Sequence, residues 1–316
     1  PLFLQGFDKY VLSNTKNMRD QKMFLQFLQR TFYIREDMLQ EFMMGLSLYV
    51  SGFYEDAYKF LTKSNYPETI PQDSPLCLSR LVNKSHPLSK LIESMTLENK
   101  EPAYYFYLSH LFSDASAHVY ALRSIKRSIK LSTSSGIEES NVFKVAQLTQ
   151  YLNTLIIFAD FQEVLDVLKI SHETLNDEVR TKYYKDLLTN IQYNEQFVST
   201  LLNICSEQTA KGLFLTMEDF AIIDQILLEQ VDPSDWSTYK KLFSFRFINQ
   251  HERTAVEILY NYILHGYDIE TKRKCYLIII NVLASFSDEK DQWILVKNHK
   301  NGLLTLQDLK FELSAL

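Results

Sequence analysis

The sequence predicts an all-α protein, built as an irregular stack of antiparallel helix hairpins of the α-solenoid kind. Its 316 residues include only 7 glycines and 7 prolines, well below the roughly 7% and 5% that average proteins contain. Apolar residues recur at helical spacing along most of the chain. No stretch shows the sustained polar–apolar alternation of strands, so a sheet is not predicted.

Several consecutive helices are marked by apolar residues at positions i, i+3, i+4 and i+7. Because the connections between them are short, neighbouring helices are expected to run antiparallel. Asp160 is a plausible N-cap in one such connection, and Asp268 or Glu270 suits the start of a later helix. The clearest apolar sets are Val145, Leu148, Leu152, Leu155; Phe161, Val164, Leu165, Leu168; and Ala255, Ile258, Leu259, Tyr262.

The domain organisation is predicted to be a single elongated α-helical domain over residues 1–316, with a weak seam around 64–100. Four of the seven prolines fall within 64–89, which indicates a long loop or an irregular insertion there. Residues 45–61 resemble one tetratricopeptide unit, but no fixed period runs through the chain. Because the first residue is Pro1, we expect a fragment of a longer chain.

Composition argues against several functional classes. The net charge of −6 and the pI of about 5.7 do not favour binding to nucleic acid or to an anionic membrane. The three cysteines are far apart, so no CxxC metal or redox pair exists. The longest apolar run, 275–286, is shorter than the ~20 residues that a membrane-spanning helix needs.

No arrangement of residues indicates catalysis. His110, Asp114 and His118 would share a face on one helix, but residues 113–116 look like a turn that separates them. No nucleotide-binding, zinc-protease or hydrolase motif is present. We therefore predict no enzyme activity, no cofactor, no metal site and no small-molecule substrate.

Two helical regions carry more apolar surface than one helix pair can bury. Trp236, Tyr239, Phe243 and Phe247 form a stripe opposite the set that begins at Ala255. The helix over about 269–286 is apolar nearly all round, which predicts burial among its neighbours. A buried strand over Leu277–Val282 is the alternative.

Four cations lie at helical spacing on one predicted helix: Arg123, Lys126, Arg127 and Lys130, called the basic stripe below. The stripe could hold phosphates or an acidic partner. A solvated helix face is the commoner explanation of such a stripe, so we predict that its four residues are dispensable for assembly, because exposed charges contribute about 0–1 kcal/mol each.

The last segment of the chain is the predicted partner interface. Residues 303–316 are apolar on more than one helical face, so packing on the protein's own helices would leave apolar groups outside. The predicted interface residues are Trp293, Leu303, Leu304, Leu306, Leu309, Phe311 and Leu313.

The order of motifs in the C-terminal part resembles the helical end of the large outer-ring nucleoporins of the nucleoporin 120/160 family. The shared features are an Arg-x-Phe helix hairpin, a Tyr-Leu-x-x-x-Asn helix, a Trp-Ile pair and a closing Leu-x-Asp-Leu segment, and they are clearest over about 236–316. The matching residues are Arg246, Phe247, Ala255, Tyr260, Tyr276, Leu277, Asn281, Trp293, Ile294, Leu306, Asp308 and Leu309.

This resemblance implies a structural role in the nuclear pore complex. Members of the family pair a β-propeller with a helical domain that sits at the hub of a Y-shaped subcomplex. The implied partners are helical nucleoporins of the nucleoporin 85 and nucleoporin 145C (96) type. The alternatives are a helical subunit of a vesicle coat or tethering complex, and an RNA- or peptide-binding helical repeat module.

Overall fold

The computed structural model describes residues 38–63, 87–94, 97, 100–134, 140–208, 214–266, 268–296 and 302–316. Most of the predicted loop over 64–89 lies outside these residues. The chain divides into two compact units, Pro1–Asp160 and Phe161–Leu316. A single elongated domain over 1–316 stays a prediction.

The described part of the first unit is a succession of helices. Its centre is α4 (Lys100–Asp114), which contacts α3 (Pro87–Ser94), α5 (His118–Ser134) and α6 (Asn141–Ile157). Buried tyrosines of this core donate hydrogen bonds to carbonyls of other helices, as Tyr104 Oη does to Leu61 O at 2.9 Å. The helices are α1 (Met38–Val50), α2 (Tyr54–Leu61), α3 (Pro87–Ser94), α4 (Lys100–Asp114), α5 (His118–Ser134) and α6 (Asn141–Ile157).

The second unit continues with helices and closes with a small hairpin. Here α11 (Trp236–Ile248) packs on α12 (Glu252–His265), α12 on α13 (Ile269–Ala284), and α13 on α14 (Leu306–Ala315). The elements are α7 (Phe161–Ile170), α8 (Asp177–Thr189), α9 (Asn194–Gln208), α10 (Met217–Glu229), α11 (Trp236–Ile248), α12 (Glu252–His265), α13 (Ile269–Ala284), a 3₁₀ turn (Glu289–Asp291), β1 (Trp293–Leu295), β2 (Leu303–Thr305) and α14 (Leu306–Ala315).

Two arginines join helices of the second unit through ion pairs. Arg180 of α8 lies 2.9 Å from Asp219 of α10, and both side chains are buried. Arg246 of α11 donates two hydrogen bonds to Asp224 of α10, at 2.6 and 2.8 Å, and a third to the carbonyl of Thr254 in α12. These bonds fix the registers of α10, α11 and α12.

Four interhelical turns have the same backbone conformation. Each has a residue with positive φ just after the helix end: Gly52, Ser116, Ala159 and Gln250, with φ between 53° and 81°. The amide that follows bonds the carbonyl five residues earlier, as in His251 N to Arg246 O at 2.9 Å. This pattern is the Schellman C-cap, which usually takes glycine. The chain therefore makes tight hairpins with few glycines.

The helical prediction is confirmed, and so are several details of it. The three apolar sets lie on α6, α7 and α12, residues 113–116 do span a helix break, and Asp268 caps α13 by accepting from the amides of Glu270 and Thr271. No helix in the described part of the chain is long and apolar enough to cross a membrane.

Three expectations were wrong. The 269–286 helix is buried on one face only, through Cys275, Tyr276, Ile279 and Leu283, while Leu277 is 48% exposed. In α11 the buried residues are Tyr239, Leu242 and Phe245, and Phe247 of the predicted stripe is exposed. Leu303–Thr305 is a strand because it pairs with Trp293–Leu295, so the last helix starts only at Leu306.

The left-handed turn at Gln250 gives a test of the shared turn. A non-glycine residue with left-handed backbone destabilises the fold by about 1–2 kcal/mol relative to one with ordinary backbone dihedrals. Glycine adopts this conformation without that strain, so replacing Gln250 by glycine recovers part of the loss. Gln250→Gly is expected to stabilise the protein by about 0.5–1 kcal/mol in urea unfolding followed by circular dichroism.

Gln225→Gly is the matched control, because Gln225 is an exposed glutamine in the interior of α10. Glycine in a helix interior destabilises by about 1 kcal/mol. Destabilisation by both substitutions would show that the turn at Gln250 is not under backbone strain.

Candidate interaction surfaces

The C-terminal hairpin has an inner and an outer face. The strands are antiparallel, with Trp293 opposite Thr305, Ile294 opposite Leu304, and Leu295 opposite Leu303. Since side chains alternate along a strand, Ile294 and Leu304 point inward and are fully buried. Trp293, Leu295 and Leu303 are therefore on the outer face.

Helix α12 holds the hairpin through polar side chains. The Arg253 guanidinium lies 4.1 Å from the ring centre of Trp293, and its Nη2 donates to the carbonyl of Asp291 at 2.9 Å. Glu257 Oε1 accepts from the backbone amide of Leu295 at 2.9 Å. The outward amide of β1, which would otherwise be a free strand edge, is thereby satisfied.

Helix α14 is fixed at both ends. At its start, Thr305 and Asp308 form a capping box, in which each side chain accepts from the other residue's amide. Near its end, Glu312 accepts hydrogen bonds from the hydroxyls of Tyr260 and Tyr276, at 3.2 and 3.0 Å. Burial, and next to it the charge of Glu312, raises the pKa of both tyrosines, so they stay protonated donors.

The structure separates the predicted interface residues into buried and accessible groups. Leu304, Leu306 and Leu309 are buried in the protein's own unit, so their assignment to a partner interface was wrong. The reason is that α14 turns its apolar stripe toward α13, and the strand register turns Leu304 inward.

The accessible residues form a smaller set. Phe311 is 75% exposed and Leu303 is exposed, while Trp293 and Leu313 are partly buried. Sequence reasoning missed Leu295, which is 58% exposed beside Leu303. Alternation of Trp293, Ile294 and Leu295 in a strand was the signal that could have found it. We call Trp293, Leu295, Leu303 and Phe311 the C-terminal patch.

The basic stripe lies along the exposed side of α5, and all four of its residues are exposed. Three of its cations lie over tyrosine rings of the first unit, at 4.5 to 5.7 Å from the ring centres. The stripe is thus a second accessible surface, of opposite chemistry to the C-terminal patch.

The three metal-capable residues do not share one helix. His110 and Asp114 are in the last turns of α4, and His118 begins α5. His110 packs against the Phe106 ring at 4.7 Å, and burial lowers its pKa. Among the described residues, no three His, Cys, Asp or Glu side chains are grouped so that they could hold a metal ion.

These features define a helical-repeat protein whose accessible surfaces suit contacts with other macromolecules. The model of the family described as "Nucleoporin Nup120, HEAT repeats" matches residues 11–191, which is more than half of the chain, and the chain belongs to this family. It is also 39% identical over 324 residues to the Nucleoporin NUP120 of Saccharomyces cerevisiae.

The alignment with the yeast relative covers 99% of this chain and 31% of the relative. The chain therefore spans about 31% of the length of that protein. The family model covers the N-terminal part of the chain, and the yeast alignment extends through the C-terminal part that carried the resemblance. The resemblance to this nucleoporin family is confirmed.

The bonds at Glu312 give a stability test of the C-terminal segment. Glu312→Ala leaves two largely buried tyrosine hydroxyls without their acceptor, and a hydrogen bond to a charged group contributes about 1.5–3 kcal/mol. We expect a loss of about 2–3 kcal/mol in the free energy of unfolding, measured by urea denaturation.

Two controls isolate the hydrogen bonds. Glu207→Ala removes an exposed glutamate of α9 and is expected to change stability by less than about 0.5 kcal/mol. In a Tyr260→Phe, Tyr276→Phe background the effect of Glu312→Ala should shrink, because no hydroxyl is then orphaned. An equal effect in both backgrounds would contradict this role for Glu312.

Proposed function

We propose that the chain is a non-catalytic scaffold segment of the nuclear pore complex, which docks other helical nucleoporins through the C-terminal patch. Membership of the Nup120 family supports the scaffold role. The observation that carries the docking site is the exposure of large apolar side chains on a segment that is otherwise firmly anchored.

The patch offers apolar area to a partner. Leu295 and Leu303 form an exposed cross-strand pair on the hairpin, and Phe311 projects from α14. Full burial of one such side chain stabilises an interface by about 1.5–3 kcal/mol, although ordering and association costs offset part of this.

Anchoring of the hairpin supports the same proposal. Arg253 bonds the carbonyl of Asp291 just before β1, and Glu257 bonds the amide of Leu295 within it, so the backbone is held in place before a partner binds. Prior ordering reduces the entropy that binding must overcome. Trp293 contributes here as a half-buried support under Arg253 rather than as a free anchor.

The proposed partners and location follow from the family resemblance. Helical nucleoporins of the nucleoporin 85 and nucleoporin 145C (96) type would meet this chain at the hub of the Y-shaped subcomplex. The location would be the nuclear envelope, at the pore, in support of protein and mRNA transport. The family match does not favour the vesicle-coat or tethering-complex alternative.

Point variants test the patch better than truncation does. Deleting residues 300–316 would remove the buried Leu304 and Leu309 and uncover Tyr260 and Tyr276. The triple variant Leu295→Glu, Leu303→Glu, Phe311→Glu changes only exposed side chains. It is expected to keep its helical circular dichroism and to lose at least about tenfold in affinity for the purified helical partners, because hot-spot residues cost 2 kcal/mol or more.

The matched control places glutamates at three exposed apolar positions elsewhere in the second unit. Ile170, Ile191 and Met217 are all highly exposed, and their replacement by Glu should leave the affinity within about twofold. Reversal of the basic stripe to Glu should also leave it unchanged. Unchanged affinity in the triple patch variant would place the docking surface elsewhere.

A further inference from the structure

The basic stripe is a linear array of cations on one exposed helix face. Its first and last members are seven residues apart, which corresponds to about 10 Å along the helix axis. All four residues are exposed. The stripe belongs to the first unit, whereas the C-terminal patch belongs to the second.

The charge of this region is not balanced by its own helices. Helices α5 and α6 together contain the basic stripe and Lys144, and no aspartate or glutamate. In a chain with a net charge of −6, such segregation concentrates positive potential on one surface.

Described carboxylates do not neutralise the arginines of the stripe. Across the described ranges, no carboxylate forms an ion pair with Arg123, Arg127 or Lys130. The pKa of Glu55 is lowered by Lys59 and, to a smaller extent, by Arg123, but the ion pair of Glu55 is with Lys59, at 2.9 Å. Within the described residues, therefore, no ion pair occupies the N–H donors of the two guanidinium groups.

Tyrosine rings support the cations from below. The Arg127 guanidinium lies 4.5 Å from the ring centre of the buried Tyr105, and Arg123 lies 5.7 Å from that of Tyr120. Lys126 Nζ lies 5.6 Å from the ring centre of Tyr151. Stacking on an aromatic ring orders a guanidinium group. Its N–H donors remain in the guanidinium plane, where they can form bidentate hydrogen bonds with a carboxylate.

The form of the stripe favours one kind of anion. Single-stranded nucleic acid needs open aromatic faces on which bases stack, and the rings here lie beneath the cations, buried or half-buried. A stripe with i, i+3, i+4, i+7 spacing instead matches a facing helix with carboxylates at the same spacing. We infer that the basic stripe is a docking site for an acidic helical segment of a partner protein.

The probe for this inference is a fluorescent alanine-based helical peptide that carries four Glu at i, i+3, i+4 and i+7. Its binding to residues 1–316 is measured by fluorescence anisotropy at about 0.15 M and 0.5 M salt. The comparison peptide has Gln in place of the four Glu. We expect binding of the Glu peptide only, weakened by salt because exposed charges are screened.

The stripe variant is Arg123→Glu, Lys126→Glu, Arg127→Glu, Lys130→Glu. Its matched control, Lys182→Glu, Lys185→Glu, Lys240→Glu, Arg273→Glu, makes the same charge change at exposed cations of the second unit. Reversal of the stripe is expected to weaken the peptide at least about tenfold, and the control less than about threefold. Circular dichroism checks that both variants are folded.

Several results would overturn the inference. They are no detectable binding of the Glu peptide, equal weakening by both variants, or no effect of reversing the stripe. Stripe-dependent binding of a random-sequence RNA oligonucleotide or of anionic phosphatidylserine vesicles in preference to the peptide would also overturn it. Binding of the helical nucleoporins through the C-terminal patch is measured in a separate experiment. Failure of one proposal can therefore be distinguished from failure of the other.

Discussion

Helix α12 is the element on which the C-terminal part of the protein depends. Seven of its residues are buried, which is half of the helix, because α11, α13 and the hairpin all pack on it. Two polar residues outside this buried set hold the hairpin: Arg253 lies over the Trp293 ring and bonds the carbonyl of Asp291, just before β1, and Glu257 bonds the amide of Leu295 within it. Burial fixes the helix, and the fixed helix then fixes the hairpin, so a three-residue strand pair becomes ordered although it would be marginal alone.

The turns impose a second constraint, and they account for the unusual composition. Ser116, Ala159 and Gln250 adopt left-handed backbone that glycine would accept without strain. Their cost of about 1–2 kcal/mol each is offset by the interhelical packing that the short turn permits. A chain that makes its turns in this way needs little glycine, and within the units the turns at Gly52, Ser116 and Gln250 each connect two helices that pack on each other.

Periodicity in the sequence was sufficient to predict the helices and the buried sets, because one apolar stripe per helix is what an antiparallel pair requires. Periodicity was insufficient to predict which residues of α13 are buried. An apolar residue such as Leu277 indicates burial, but the sequence does not show whether the group that covers it belongs to the same chain. The strands were missed because three residues are too few for alternation to be distinguished from a helical stripe. The Thr305–Asp308 capping box, however, was a readable signal that the last helix starts at Leu306.

The candidate site was predicted only in part, for the same physical reason. Apolar character pointed to the C-terminal segment, but which of its residues are inside and which outside depends on strand register, which Ile294 and Leu304 set through long-range packing. Register placed Leu295 outside and Leu304 inside. The exposed cations of α5 were visible in the sequence, as was Tyr120 three residues before Arg123, whereas Tyr105 and Tyr151 come from other helices and could be identified only in the fold.

Hydrogen–deuterium exchange, compared between the chain alone and the chain bound to its purified helical nucleoporin partners, tests the C-terminal patch most directly. Peptides covering 293–296 and 303–316 are predicted to gain protection on binding, because a partner seated on the patch shields the hairpin and α14 from opening. Peptides covering Ile170 and Ile191 are predicted to exchange as in the free chain. Protection confined to other helices, with 293–296 and 303–316 unchanged, would contradict docking through the C-terminal patch.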